Sequence, residues 1–157
     1  MGKYKANSHS KLLARYGRLY FPFKPPGFWQ DSSCCYCGNP AQSRDHIPPL
    51  AWMYCLGPGY FERERLLVVW VPCCLECNSA LGDQKLFTIK ERTFYLLRYY
   101  EHKFEKLHEF PRWHDHEIGE LHGRLKQFIE NSETYRAGAG RRLSILAENC
   151  DVRTVRE

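Results

Sequence analysis

The sequence predicts an α+β fold, in which a small cysteine-flanked unit is followed by C-terminal helices. Residues 66–71, LLVVWV, form an aliphatic and aromatic run with high β propensity. Residues 41–47, AQSRDHI, form a weaker strand candidate that ends at Pro48. Beyond residue 84, apolar residues recur at helical spacing. One pair of cysteines precedes residues 41–47, and another pair follows residues 66–71.

Length and composition indicate one globular domain. The chain has 157 residues, of which 43% are hydrophobic, and this is enough to bury a core. The first residues lack the apolar segment of a secretory signal. The longest wholly aliphatic or aromatic run, residues 66–71, is too short to cross a bilayer. We therefore expect a soluble, cytoplasmic protein with no membrane partner.

The excess of positive charge lies in the N-terminal arm. The net charge is +5, and residues 1–33 carry six basic residues against one acidic residue. Such an arm suits contact with a polyanion, because neutralising phosphates releases counterions. The alternative is a merely solvated basic terminus. The basic residues that alternate with aromatic ones are the candidates for this contact: Lys11, Arg15, Arg18 and Lys24.

We divide the chain into four segments: a basic aromatic arm (1–33), the cysteine-flanked unit (34–86), a helical region (87–135) and a C-terminal tail (136–157). Within the second segment, Gly57, Pro58 and Gly59 predict a loop, because they interrupt any regular element.

Two helices are predicted after residue 84. The first ends at Pro111 and places one set of apolar residues on a single face: Phe94, Leu97, Phe104 and Leu107. The second begins near Asp115 and places another set on one side: Ile118, Leu121, Leu125 and Phe128. In the tail, a Gly-Ala stretch predicts a break in helical structure.

Four of the eight cysteines form two C-x-x-C pairs, Cys34 with Cys37 and Cys74 with Cys77. In a reducing compartment, two such pairs indicate a tetrahedral four-sulfur site that holds structural zinc. Another register remains open, because Cys35 and Cys73 adjoin the two pairs. We expect Cys35, Cys73, Cys55 and Cys150 to be buried or free thiols.

Between and after these pairs, the sequence resembles the HNH endonuclease family. The shared pattern is C-x-x-C-G, D-H-I-x-P, an apolar strand and P-x-C-x-x-C-N. It covers residues 34–86, about a third of the chain, and its elements occur in the family's order: Cys34, Cys37, Gly38, Asp45, His46, Ile47, Pro49, Pro72, Cys74, Cys77 and Asn78. The resemblance implies a zinc-stabilised ββα-metal (His-Me finger) core, in which a two-stranded hairpin packs against a helix.

The chemistry of this family suits three residues of the pattern. Phosphodiester hydrolysis needs a base that activates water, and His46 is a suitable one. It also needs a divalent cation such as Mg²⁺ or Mn²⁺, for which Asp45 and the Asn78 carbonyl offer oxygen ligands. The plainer alternatives are a turn with a satisfied histidine and an asparagine that caps a helix.

Two positions depart from the family's usual pattern. Val69 stands near the place of the asparagine that braces the histidine-bearing loop. Asn78 stands where the family often has a histidine, and an asparagine there resembles the endonuclease VII branch, which cuts branched DNA. That branch normally carries a second histidine just after the first, and this chain has none after His46. Asp83 and Glu91 are candidates for a third ligand of the catalytic metal.

We therefore expect a metal-dependent DNA endonuclease. Two alternatives remain: a junction-resolving endonuclease of the endonuclease VII type, and a zinc-stabilised nucleic-acid-binding module without activity. A homodimer would suit cleavage of two strands. A thiol oxidoreductase is a poor alternative, because the sequence lacks a thioredoxin-like βαβ pattern.

Overall fold

The computed structural model describes residues 7–23 and 32–154. In these ranges the strands are β1 (Phe21–Pro22), β2 (Ser43–Ile47) and β3 (Val69–Cys73). The helices are α1 (Asn7–Tyr16), α2 (Leu50–Leu56), α3 (Pro58–Arg63), α4 (Leu75–Leu81), α5 (Ile89–Phe104), α6 (Asp115–Glu120) and α7 (Gly123–Thr154). The predicted α+β class is confirmed. None of the described helices combines the length and apolar composition that a membrane crossing requires.

The sheet has the strand order β1-β3-β2. Strands β2 and β3 are antiparallel, with Asp45 opposite Val71 and His46 opposite Trp70, whereas β1 runs parallel to β3. Both predicted strands are therefore present, but β3 begins at Val69 and continues to Cys73. Helix α4 follows β3 directly and also packs against β2.

Strand β3 contains Pro72 even though it is the central strand. The Pro72 carbonyl oxygen accepts a hydrogen bond from the Cys35 backbone N–H at 2.8 Å. Because the amide and carbonyl of one residue point to the same edge of a strand, the donor that proline lacks would face this edge as well. Strand β1 ends opposite Trp70, so no strand is paired with Pro72 on that side.

The buried apolar residues form two clusters. One cluster surrounds the cysteine pairs and includes Ile47, Val71, Leu81, Leu96, Tyr100 and Leu146. The other joins α1, α2 and α3 and includes Tyr16, Tyr20, Leu50, Met53 and Phe61. Helices α5 and α7 make the most extensive helix–helix contact, and they close the first cluster.

The prediction of a loop at residues 57–59 is wrong in part. Helix α2 ends at Leu56 and α3 begins at Pro58, which lies at the first turn, where a missing N–H costs nothing. Gly57 has a φ of 76° and forms the junction between the two helices. Burial of Phe61 on α3 explains why this segment folds as a helix.

The face predicted for the first long helix is also only partly right. Phe104 is buried as expected, and Leu97 and Leu107 pack partly against the core. Phe94, however, is 54% exposed. The buried stripe of α5 contains instead two polar residues and three apolar ones: Arg92, Thr93, Leu96, Tyr100 and Phe104. The apolar periodicity misplaced this face because a buried arginine belongs to it.

The second predicted helix is divided into α6 and α7 by an extended residue, Leu121, with a ψ of 153°. Leu125 and Phe128 are more than half exposed and therefore do not form the expected buried side. The Gly-Ala stretch of the tail does not break α7, which runs through the boundary placed at residue 136.

Packing of α7 against the core overrides the low helix propensity of its glycines. Ala139 and Leu146 are buried, and the Asn149 side-chain amide donates a hydrogen bond of 2.9 Å to the Tyr36 carbonyl oxygen. The C-terminal helix is thus attached to the loop that carries the first cysteine pair.

A buried ion pair connects α5 to strand β2. Arg92 is fully buried, and its Nη1 atom lies 2.6 Å and 2.7 Å from the two carboxylate oxygens of Asp45. The Tyr36 hydroxyl donates a further hydrogen bond of 2.6 Å to Asp45 Oδ2. The Arg92 Nε atom donates to the Leu86 carbonyl oxygen. The three side chains come from α5, β2 and the first cysteine loop, so this contact holds all three together.

Replacing Arg92 with methionine is expected to lower the free energy of unfolding by about 3–5 kcal/mol at pH 7.5, because Asp45 is left as an unpaired buried charge. Urea unfolding measures this change. The loss should shrink as the pH falls, since burial raises the pKa of Asp45 and the folded variant therefore takes up the proton at a higher pH than the unfolded chain.

The matched control is Arg98→Met on the same helix, because Arg98 pairs with Glu101 in solvent. We expect this change to cost less than about 0.5 kcal/mol. Equal effects of the two substitutions would show that the buried pair does not stabilise the fold.

Candidate functional site

Two features adjoin each other around the β2–β3 pair: a cluster of four cysteines and an open cleft that contains His46. The Sγ atoms of the predicted set lie within 4.8 Å of one another, and all four residues are buried: Cys34, Cys37, Cys74 and Cys77. The set contains both C-x-x-C pairs and neither Cys35 nor Cys73, as the C-x-x-C spacing predicts. Both of these are buried, whereas Cys55 is exposed and Cys150 is partly buried.

Each cysteine pair is held by a tight turn. The Gly38 N–H donates to the Cys34 carbonyl oxygen at 3.0 Å, and Gly38 has a φ of 73°, which glycine adopts without strain. A Cβ atom at Gly38 would also lie 3.0 Å from Ile145 Cδ1 of α7. In the second pair, Cys74 caps α4, and its Sγ accepts from the Cys77 N–H at 3.4 Å. These turns direct all four sulfurs to one point.

The spacing of the sulfurs fits a tetrahedral ion. The Cys37 and Cys74 Sγ atoms are 3.7 Å apart, and a zinc ion about 2.3 Å from each sulfur would place them about 3.8 Å apart. Arg142 of α7 lies over the Tyr100 ring at 4.6 Å, and the Tyr100 hydroxyl is 3.8 Å from Cys77 Sγ. Arg142 also forms an ion pair with Glu76. The four buried cysteines can hold a structural metal such as zinc.

The cleft adjoins strand β2 on the face to which His46 points. Its volume is about 130 Å³. It is lined by residues of α1, β2, α2, α4 and the turn after α4: His9, Leu12, Arg44, Asp45, His46, Pro49, Leu50, Ala51, Asn78, Gly82 and Asp83. Sequence reasoning named His46 and Asn78 for this place, and the structure brings them together there.

His46 is half-buried and its imidazole is neutral at pH 7. Burial, together with the nearby side chains of His9, Arg44 and Arg92, lowers its pKa to about 4. The imidazole can therefore accept a proton from water. An anion bound in the cleft would raise this pKa towards neutrality, because it would stabilise the imidazolium.

Asp45 differs from its expected arrangement. Neighbouring residues of a strand point to opposite faces of the sheet, so His46 faces the cleft while the Asp45 carboxylate points to Arg92 and Tyr36. Burial raises the pKa of Asp45, whereas the Arg92 charge and the Tyr36 hydrogen bond lower it. The carboxylate would have to exchange these partners for a metal ion, and its ligand role stays a prediction.

Asn78 lies inside α4, where Cys74, not Asn78, is the N-cap. The Asn78 side-chain amide donates to Ser43 Oγ at 3.2 Å, and Ser43 Oγ in turn donates to the Cys73 carbonyl oxygen. Within the part of the chain described, Asn78 Oδ1 makes no hydrogen bond and remains available to a ligand.

Of the two candidates for a third ligand, only Asp83 is placed at the cleft. It is exposed on the turn after α4. Glu91 instead forms the capping box of α5, in which its carboxylate accepts from the backbone amides of Phe87 and Thr88.

The basic residues of the arm lie on or just after α1. Lys11, Arg15 and Arg18 are exposed, and Lys24 lies outside the described residues. Helix α1 also brings His9 and Leu12 to the cleft. On β2, Arg44 is exposed, and its guanidinium lies 4.4 Å from the centre of the Trp70 ring. It has no acidic partner among the described residues.

Sequence reasoning did not find three residues around His46: His9, Tyr20 and Arg92. Tyr20 contacts the imidazole edge-on, with ring centres 4.9 Å apart, and donates a hydrogen bond of 2.6 Å to the Pro48 carbonyl oxygen. These residues lie 26 to 46 positions from His46 in the printed sequence, and no local pattern marks them. The one usable signal in the sequence was Arg92, because it is a charged residue within the apolar stripe of α5.

Searches of this chain against protein-family models, curated proteins and solved structures found no match.

Loss of metal from the four-cysteine cluster is expected to unfold the core, because the free energy of metal binding contributes to folding and the two cysteine loops then share no ion. Cys77→Ser should lower the bound metal to below about 0.2 equivalents and the melting temperature by about 10 °C or more. Elemental analysis and thermal denaturation measure the two quantities.

Cys55→Ser is the matched control, since Cys55 is exposed on α2 and is not one of the four. It should retain the metal and the melting temperature. Full metal content in Cys77→Ser would show that this cysteine is not a ligand.

Proposed function

We propose that this chain is a metal-dependent DNA endonuclease with an HNH-type ββα-metal core, in which His46 activates the attacking water. The observation that carries the proposal is the position of His46. A neutral, half-buried imidazole opens into a cleft that it shares with Asn78 and Asp83, directly beside the cysteine cluster. We further propose that the metal in this cluster is Zn²⁺.

The division of ligands by chemistry supports this assignment. Four thiolates suit zinc, whereas the Asn78 carbonyl and the Asp83 carboxylate are hard oxygen ligands that suit Mg²⁺ or Mn²⁺. Asn78 is on α4, whose first turn is held by Cys74 and Cys77. A structural zinc would therefore keep Asn78 in place relative to His46.

In this mechanism, His46 takes the proton from a water molecule in the cleft as the water oxygen attacks phosphorus. The bond from phosphorus to the leaving oxygen then breaks, and a solvent proton neutralises that oxygen. A divalent cation held by Asn78 and Asp83 would offset the negative charge that develops on the phosphate. The exposed bases Lys11, Arg15 and Arg18 would contact the DNA backbone and add affinity that is independent of sequence.

Arg44 is the side chain in the cleft best suited to hold the scissile phosphate. It points to the same face of β2 as His46, two residues away, and Trp70 holds its guanidinium from one side. A guanidinium without an acidic partner can donate two hydrogen bonds to a phosphate.

The first test is cleavage of supercoiled plasmid with Mg²⁺ or Mn²⁺ by wild type and by His46→Ala. We expect the substitution to lower the rate about 100-fold or more, because removing a general base costs this much. Zinc content must be equal in both proteins, which separates loss of the base from loss of the fold.

His122→Ala is the matched control: His122 is exposed and does not line the cleft. It should cleave as wild type does. A linear duplex and a four-way junction are compared at the same salt concentration, because affinity for DNA falls steeply with salt. A fully metallated protein that binds these DNAs and cuts none of them would be a binding module, and the nuclease proposal would be wrong.

Arg44→Gln is expected to lower kcat/KM for DNA cleavage by about 10- to 100-fold, since hydrogen bonds to a charged group contribute about 1.5–3 kcal/mol. Steady-state kinetics on a short duplex measure the change. Arg44→Lys should recover only part of it, because lysine lacks the planar fork.

The control for charge alone is Arg63→Gln at the end of α3, which is exposed and does not line the cleft. It should remain within about twofold of wild type. A similar rate for Arg44→Gln would show that Arg44 does not contact the reacting phosphate.

A further inference from the structure

We propose that Tyr20 is a positioning residue that fixes both the imidazole of His46 and the backbone that follows it; this role rests on the proposed function of His46. Tyr20 lies between α1 and β1, 26 residues before His46 in the printed sequence. Its side chain is 6% exposed, and it makes two separate contacts with the histidine-bearing segment.

The first contact is between rings. The Tyr20 and His46 rings meet at 88° with their centres 4.9 Å apart, which is a favourable edge-to-face arrangement. A ring packed against the imidazole restricts the rotation of His46 about its side-chain bonds. The proton-accepting nitrogen of His46 is thereby kept in one direction relative to the cleft.

The second contact is between the Tyr20 hydroxyl and the backbone. The hydroxyl donates a hydrogen bond of 2.6 Å to the carbonyl oxygen of Pro48. Strand β2 ends at Ile47, so Pro48 is no longer held by hydrogen bonds to β3. Tyr20 therefore holds the backbone at Pro48, directly after the last residue of β2 that pairs with β3.

Tyr20 is itself held firmly from both sides. Its own backbone N–H donates to the Gly17 carbonyl oxygen at 3.2 Å. The next residue, Phe21, begins β1 and donates to the Val68 carbonyl oxygen. The ring belongs to the buried cluster of α1, α2 and α3. A side chain fixed in this way can transmit its position to His46.

A purely structural role in core packing would depend on the ring and not on the hydroxyl. Tyr20→Phe retains the ring and removes only the hydrogen bond to Pro48. We expect kcat for DNA cleavage to fall about tenfold, because His46 then spends less time in the position from which it accepts the proton, with KM changed less than twofold. Zinc content should equal that of wild type, and the melting temperature should fall only by the few degrees that one buried hydrogen bond accounts for. Tyr20→Leu, which also removes the ring, should lower kcat further.

Tyr60→Phe is the matched control. Tyr60 lies on α3, packs against the same apolar cluster and makes an edge-to-face contact with Phe61. Its hydroxyl makes no hydrogen bond among the described residues. This substitution should leave kcat, KM and the environment of His46 unchanged.

A second measurement does not depend on cleavage. The ring resonances of His46 are assigned by NMR from the signals that His46→Ala lacks. In Tyr20→Phe they should shift or broaden more than in Tyr60→Phe, because the imidazole and its backbone gain freedom. In Tyr20→Leu the ring-current contribution of Tyr20 should disappear from the His46 signals.

The outcomes separate the two proposals. If wild type cuts no DNA but the His46 signals respond to Tyr20→Phe, the positioning role stands and the nuclease proposal fails. If Tyr20→Phe leaves both kcat and the His46 signals as in the control, Tyr20 does not position His46. Loss of zinc or of the melting transition in Tyr20→Phe would also overturn the proposal, since Tyr20 would then support the fold in general.

Discussion

The pairing of Arg92 with Asp45 determines which side chains of β2 reach the cleft. Residues of a strand alternate between two faces, so burial of the Asp45 carboxylate against Arg92 turns Arg44 and His46 to the opposite face. A shift of β2 by one residue would bury His46 and expose Asp45. Such a shift would leave the Arg92 guanidinium buried without its counter-ion, at a cost of several kcal/mol. The strand register and the candidate base are therefore held by one interaction.

The cysteine cluster and the cleft are both built on α4, but the cluster offers sulfur atoms and the cleft offers oxygen atoms. Strand β3 leads into Cys74, and α4 carries both Cys77 and Asn78. A metal held by the cysteines would therefore restrain the helix that carries Asn78. The side of α4 that bears sulfur ligands faces the core. Asn78 and Asp83, the proposed oxygen ligands, line the cleft. This separation keeps a thiophilic ion away from the site proposed for Mg²⁺ or Mn²⁺.

The N-terminal segment completes the cleft, although the family resemblance begins only at residue 34. Helix α1 packs against α2 and contributes His9 to the cleft, and Tyr20 contacts both His46 and Pro48. Val69, which stands near the place of the bracing asparagine in the HNH pattern that the sequence resembles, is part of the apolar core. Tyr20 supplies a contact to the histidine-bearing loop from a different part of the chain.

The sequence by itself determined the α+β class, the two strands of the central pair and the four-cysteine set, because each depends on local pattern and on the short chelate spacing of C-x-x-C. It also placed His46 and Asn78 beside that set. Only the tertiary structure decided that Asp45 pairs with Arg92, that Phe94 is exposed while Arg92 is buried, and that α7 continues through its glycines. Likewise, only folding brought Tyr20 and His9 to His46. These outcomes depend on contacts between residues far apart in the chain, where packing and the burial of charge outweigh the local preferences that a sequence pattern records.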